Sequence, residues 1–219
     1  MKIIKPSVKL VYITPNAEQL IEKAGRTCYK SESKITIKSS ENFIKMIVKR
    51  GHESVLEHGV ASLRFICDRG VTHEMVRHRI ASYSQESTRY CNYSSKDIEF
   101  IEPCFWEAKE AKTRSGNGCY LFINIDDSYY NTWLQTMEVC ESAYKLLIKQ
   151  GATPQEARSV LPNSLKTEIV MTTNFRSWRN FFGLRCAKDA HPQMQEVANM
   201  ALDILRKECP TVFGDIKGK

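Results

Sequence analysis

Between Arg77 and Tyr90 the chain concentrates groups that hold anions. Three arginines, three serines and a threonine fall within fourteen residues. A guanidinium offers a planar fork that grips phosphate or carboxylate through two hydrogen bonds. Serine hydroxyls and nearby backbone N–H groups complete a cradle for the same charge. Only Ile80 and Ala81 are plainly apolar, so the stretch makes a poor core element. By composition alone, a solvated surface competes with an anion site. Ser87 stands where a nucleophile could, but no His–Asp pair accompanies it, so it reads as a phosphate or substrate donor. His73-Glu74 followed by His78 resembles a zinc motif only superficially: the histidines are five apart, and two ligands on one helix face need a spacing of four. No metal is expected. His52 and His58 admit both a structural and a functional reading. A patch of Arg77, Arg79 and Arg89 also suits nucleic-acid phosphates, but few aromatics are interleaved with it to stack bases. A small anionic ligand is expected and no nucleic acid, with a nucleic-acid-binding protein using the Arg77–Arg89 segment kept as the alternative reading.

Other segments fall into a pattern with this one. Gly51-His52-Glu53-Ser54 precedes it, with Glu57-His58. Ala157-Arg158-Ser159-Val160-Leu161-Pro162 follows, then Asn174-Phe175-Arg176-Ser177 with Asn180 and Leu184-Arg185, then His191-Pro192-Gln193. Together with Arg77-His78-Arg79, seven residues and Ser87, then Arg89-Tyr90, they resemble the flavin-dependent thymidylate synthases in order and spacing, from about residue 20 to 210. Two departures stand out. Many members carry Asn-Glu where this chain has Ser84-Gln85, with its carboxylate one place on at Glu86. A neutral polar residue, often Gln, is common where Glu74 stands.

The resemblance implies methylation of dUMP at C5 of the uracil ring. Methylenetetrahydrofolate supplies the one-carbon unit, and NADPH reduces a non-covalently bound FAD that supplies the hydride. It implies a homotetramer whose sites are shared between subunits. For dUMP it implies Ser87, Arg89 and Arg158 at the phosphate, with Glu74, Met75, Val76, Arg77, Gln85, Glu86, Thr88 and Arg185 around the rest. For FAD it implies Ser54, Arg77, His78, Arg79, Gln85, Asn174, Phe175, Arg176 and Asn180. Arg185 is the implied catalytic group at the pyrimidine edge, where a guanidinium favours an ionised ring.

These groups need a scaffold, and the hydrophobic periodicity outlines one. Strands are expected at Val8–Ile13, Val60–Cys67, Ile98–Ile101 and Thr167–Thr173. Helices are expected from Asn16 to Ala24, from Ser40 to Gly51, from Val71 to Arg77, after Pro154, from Asn174 to Leu184, and from Pro192 to Lys207. Pro210 stops the last one. A longer helix, capped by Asp126 or Asp127 and ended by Gly151, carries Tyr130, Trp133, Met137, Cys140, Tyr144 and Leu147 at core spacing. Asp68-Arg69-Gly70 reads as a turn. The pattern fails from Cys104 to Asn124, where Thr113–Gly118 reads as a turn or loop. The expected class is α+β: one domain over residues 1–219, with a small mixed or antiparallel sheet and several packed helices.

Composition agrees. The chain is 42% hydrophobic and 26% charged, which supports a packed core and excludes a disordered chain. Its net charge of +7 suits an anionic ligand without choosing one. Lys5-Pro6 interrupts the first apolar stretch, and no window approaches a membrane span, so no membrane partner and a cytoplasmic location are expected. Eight widely spaced cysteines without a CxxC pair are expected to be reduced thiols.

Overall fold

A computed structural model describes residues 1–106 and 129–218. In chain order the elements are β1 (Lys2–Ile4), β2 (Ser7–Ile13), α1 (Ala17–Thr27), α2 (Ser39–Lys49), β3 (Val60–Asp68), α3 (Arg69–Met75), β4 (Ser82–Gln85), β5 (Glu99–Ile101), α4 (Tyr129–Lys149), α5 (Pro154–Ala157), β6 (Lys166–Asn174), α6 (Phe175–Arg185), α7 (Pro192–Glu208) and α8 (Pro210–Phe213). The expected Thr113–Gly118 loop, the Asp126 or Asp127 cap and Cys119 lie outside the described residues. The class is α+β, with helices packed on a small mixed sheet. The described residues group into two compact units.

One unit comprises Pro6–Cys67, Val71–Gln85 and Glu168–Lys219. Its sheet runs β2-β3-β6-β4, with β2 antiparallel to β3 and β4 antiparallel to β6. β6 alternates strictly between buried and half-buried residues, the period-two pattern of a strand with one covered face. In α7 the expected stripe of Met194, Val197, Ala198, Ala201, Leu202 and Leu205 is buried throughout. Pro210 ends α7 and also opens α8, whose Phe213 packs edge-on against Phe175 and Phe182. Gly51, with φ of 70°, ends α2 as its sequence position predicts.

The other unit comprises the described residues of Met1–Lys5, Asp68–Gly70 and Glu86–Thr167. β1, too short to read from the sequence, pairs parallel with β5. Trp133, Met137 and Tyr144 of α4 are buried with Tyr93, Ile98, Phe100 and Leu165. Cys140, expected on that stripe, is only half-buried. α3 begins at Arg69, where a turn was expected; the Arg69 N–H donates to the Asn163 carbonyl at 2.9 Å.

Among the described residues every cysteine is a free thiol. Burial pushes Cys186 up to about 11 and Cys209 to about 12, so both behave as inert core residues. Among the described residues no helix is long and apolar enough to cross a membrane.

Glu141 anchors the smaller core. It is 7% exposed and accepts from the Ile98 N–H at 3.0 Å, from the Met1 ammonium at 2.8 Å and from Lys145 at 2.8 Å. Burial alone would raise its pKa, but the hydrogen bonds from Lys145, Met1 and Ile98 outweigh burial and bring it down to about 2. A carboxylate lowered on folding contributes stability above its unfolded value near 4.5 and loses it as the pH falls towards 2. Glu141→Gln should cost about 3 kcal/mol at pH 7, the scale for breaking a buried ion pair. Urea unfolding should show the gap between variant and wild type narrowing by pH 3; an equal gap at both pH values contradicts this role.

Candidate active site

The junction of β6 and α6 builds one wall of a cleft in the larger unit. The Asn174 side-chain oxygen accepts the Ser177 N–H at 2.8 Å and caps α6. The Phe175 N–H donates to the Gly59 carbonyl at 2.8 Å, and the Trp178 indole donates to the Ala61 carbonyl at 3.1 Å. A Cβ on Gly59 would stand 2.5 Å from the Phe175 ring, so only glycine permits this approach. With Phe175, Trp178, Phe181 and Phe182 buried, the opposite face of α6 presents Arg176, Arg179, Asn180 and Arg185 to a cleft of about 990 Å³. Arg77, His78 and Arg79 line it too. They sit between α3 and β4, an edge strand inside the arginine- and serine-rich segment whose composition shows only an anion cradle. Tyr83 of β4 points its hydroxyl at the Met75 and His78 carbonyls, 2.8 Å from each. Burial pushes that phenol up to about 12, so it stays a donor.

The guanidinium groups of the cleft divide into two sets. All three on α6 are paired. Arg176 meets Glu57 at 2.7 Å. Arg179 meets Asp215 through two bonds of 2.6 and 2.8 Å, Glu53 at 3.2 Å and the Val212 carbonyl. Arg185 donates to the Glu74 carboxylate at 2.8 Å, the Glu74 carbonyl at 3.0 Å and His78 Nε2 at 3.0 Å. Arg77 and Arg79 have no carboxylate partner among the described residues. They are the cations left for an incoming anion. His78 accepts from Arg185 at Nε2, which assigns its own proton to Nδ1. Burial first, and then the Arg185 charge, hold its pKa below the usual imidazole range.

A second set of anion-binding groups lies in the smaller unit. The Ser87 carbonyl accepts the Tyr90 and Cys91 N–H groups at 3.2 and 3.0 Å, closing a turn. Ser87 Oγ accepts the Arg89 N–H at 3.3 Å. The Arg89 guanidinium lies 5.5 Å from the centre of the Tyr90 ring. Arg158 donates to Thr88 at 3.3 Å, which joins two segments far apart in sequence. Neither Arg89 nor Arg158 has a carboxylate partner among the described residues.

The profile of the family described as "Thymidylate synthase complementing protein" matches residues 9–211. The chain belongs to the flavin-dependent thymidylate synthase family. A flavin-dependent thymidylate synthase of Corynebacterium efficiens is 36% identical over 208 residues, covering 92% of this chain and 80% of the relative. One from Geobacter sulfurreducens is 32% identical over 217 residues, covering 95% and 85%. Among solved structures, a UMP/dUMP methylase of Streptomyces cacaoi bound with 5-Br dUMP superposes with a TM-score of 0.77. It is 22% identical and covers 98% of this chain and 96% of that one, a likeness of fold.

Within this family fold, the residues expected at the ligands do not all face open space. Met75 and Phe175 are fully buried, which leaves only their backbone for contact. Ser54 and Val76 lie outside the cleft lining, whereas Glu53 and Glu57 belong to it. Gln85 donates to Thr72 at 3.0 Å. Glu86 turns its carboxylate to Tyr93 and Lys166. The sequence reading missed Arg179, Met171, Asp215 and Ile216 of the cleft. Arg179 could have been found, because it follows Arg176 by three positions on one helix face. Nothing local flags Asp215.

The His78–Arg185 contact can be tested directly. By NMR, His78 should titrate below 6.5, and Arg185→Ala should move its midpoint upward. Because the folded value is lowered, the stability that neutral His78 contributes is present above about pH 6.5 and is lost as the pH falls. A midpoint that stays put or falls in the variant contradicts the contact.

Proposed function

We propose that this chain is a thymidylate synthase that methylates dUMP at C5 to give dTMP, with methylenetetrahydrofolate as one-carbon donor and with FAD, reduced by NADPH, as hydride source. The observation that carries this reading is the division of guanidinium groups. In a family of flavin-dependent thymidylate synthases, the uncompensated pairs Arg77/Arg79 and Arg89/Arg158 fall at the two ends of the signature segment and on its partner motif. The cleft suits a dinucleotide in size and charge: it lies at the upper end of the range for small-molecule sites, and its free cations suit a pyrophosphate.

The chain's own residues bind and orient. Arg77 and Arg79 hold the flavin's pyrophosphate, with His78, Asn174, Arg176 and Asn180 beside it. The Asn174 oxygen is committed to the helix cap, so its amide N–H is the group left for a ligand. Ser87, Arg89 and Arg158 hold the dUMP phosphate, with Thr88 fixing Arg158. When bound, the flavin supplies the hydride that completes the methyl group. Arg185, fixed by Glu74 and His78, stabilises the electron-rich uracil ring. The same reading extends to a homotetramer with shared sites and to a cytoplasmic enzyme.

The test is chemical. Denatured protein should release free FAD, and the reduced flavin should reoxidise when dUMP and methylenetetrahydrofolate are added. Arg185→Ala should keep its flavin yet turn over about a hundredfold more slowly, the usual scale for one lost electrostatic donor. Arg185→Lys should recover part of the rate, since an ammonium lacks the planar fork. Reoxidation of Arg185→Ala at the wild-type rate would remove Arg185 from the mechanism. Failure of the wild type to bind FAD would remove the function.

A further inference from the structure

We propose that Glu86, although next to the signature serine, does not touch substrate but braces the phosphate-binding turn, with Tyr93 and Lys166 as the other members of the brace. This rests on dUMP being the ligand of Ser87, Arg89 and Arg158. Glu86 Oε1 accepts the Tyr93 hydroxyl at 2.9 Å, and Oε2 accepts Lys166 at 3.2 Å. Both members of the ion pair are largely shielded, with side chains 19% and 14% exposed. Tyr93 is itself anchored: its N–H donates to the hydroxyl of the fully buried Tyr144 at 3.3 Å. Burial, reinforced by the nearby Glu86 charge, pushes the Tyr93 phenol far above its usual range, so it remains a donor to the carboxylate.

The geometry makes a staple. Residues 87–91 form the turn closed on the Ser87 carbonyl. Glu86 enters that turn and Tyr93 leaves it, and the carboxylate–phenol bond closes the loop across them. Lys166, at the start of β6, ties the same carboxylate to a strand. Ser87 and Arg89 are thereby presented on a fixed backbone, which removes part of the ordering cost of binding. A direct ligand role fits poorly. An ionised carboxylate offers only lone pairs, and a phosphate needs donors. Beside a bound dianion its charge would repel, unless Lys166 offsets it.

Tyr93→Phe breaks the staple while leaving Glu86, Lys166 and the turn sequence in place. Titration calorimetry of the FAD-loaded enzyme with dUMP should show affinity weakened about tenfold. The KM for dUMP should rise by a similar factor, with flavin content unchanged and kcat within about twofold, because the chemistry is untouched once the turn is filled. Glu86→Gln should weaken dUMP by a comparable factor, and the double variant should be no worse than the worse single one, as for members of one unit. If Tyr93→Phe binds dUMP like the wild type while Glu86→Gln does not, Glu86 is a ligand contact and the brace is wrong. If kcat falls in step with affinity, the residue is not a positioning group and the proposal fails. A wild-type enzyme that binds FAD but not dUMP fails differently, because that result removes the substrate assignment itself.

Discussion

A guanidinium taken out of water has to find an anion, or the cost of burying its charge works against the fold. That constraint organises the larger unit. Helix α6 carries Arg176, Arg179 and Arg185 on one face, while its other face is locked by four buried aromatics. The two shielded arginines meet carboxylates, Arg179 with Glu53 and Asp215 and Arg185 with Glu74, while the exposed Arg176 pairs with Glu57 at the surface. The pairs draw together the segment before β3, the end of α3 and the residues after α8. Arg77 and Arg79 are left over on the same cleft. Both are exposed and without a carboxylate partner among the described residues, so they stand open to an anionic ligand in the cleft.

The elements with a regular apolar stripe were legible. α7 buries its expected stripe residue by residue, β6 forms where a strand from Thr167 to Thr173 is expected, and α6 runs Phe175–Arg185 where a helix from Asn174 to Leu184 is expected. β4 was not legible. Its Ser-Tyr-Ser-Gln sequence has no apolar face, and it becomes a strand only because β6 offers an edge to pair with. β1 has three residues and exists through its partner β5. The start of α3 at Arg69 depends on a carbonyl from Asn163, far along the chain. In each case the deciding interaction is long-range, and a local pattern contains no trace of it.

The site divides in the same way. The resemblance names positions in the signature, Arg158 and the Asn174–Arg185 segment, but it carries no orientations. Met75 and Phe175 stand at expected contact positions with their side chains in the core. Glu74, expected at the ligand, is also the counter-ion of Arg185. Glu86, expected there too, spends both oxygens on its neighbours. Asp215, which fixes Arg179 from 36 residues away, has no sequence signal. What a motif cannot carry is the charge balance, because that is settled by whichever carboxylates the fold brings near.

If the two unpaired arginine sets serve two different ligands, separate titrations of the two ligands must tell the sets apart. FAD binding to the flavin-free protein and dUMP binding to the same protein are measured for wild type, for the double variant Arg77→Ala/Arg79→Ala and for the double variant Arg89→Ala/Arg158→Ala. Loss of two charge-assisted contacts should weaken the matching ligand by about a hundredfold or more. The first variant should lose FAD and keep most of its dUMP affinity, and the second should lose dUMP and keep FAD. A variant that weakens both ligands equally, or the reverse assignment, would contradict that division.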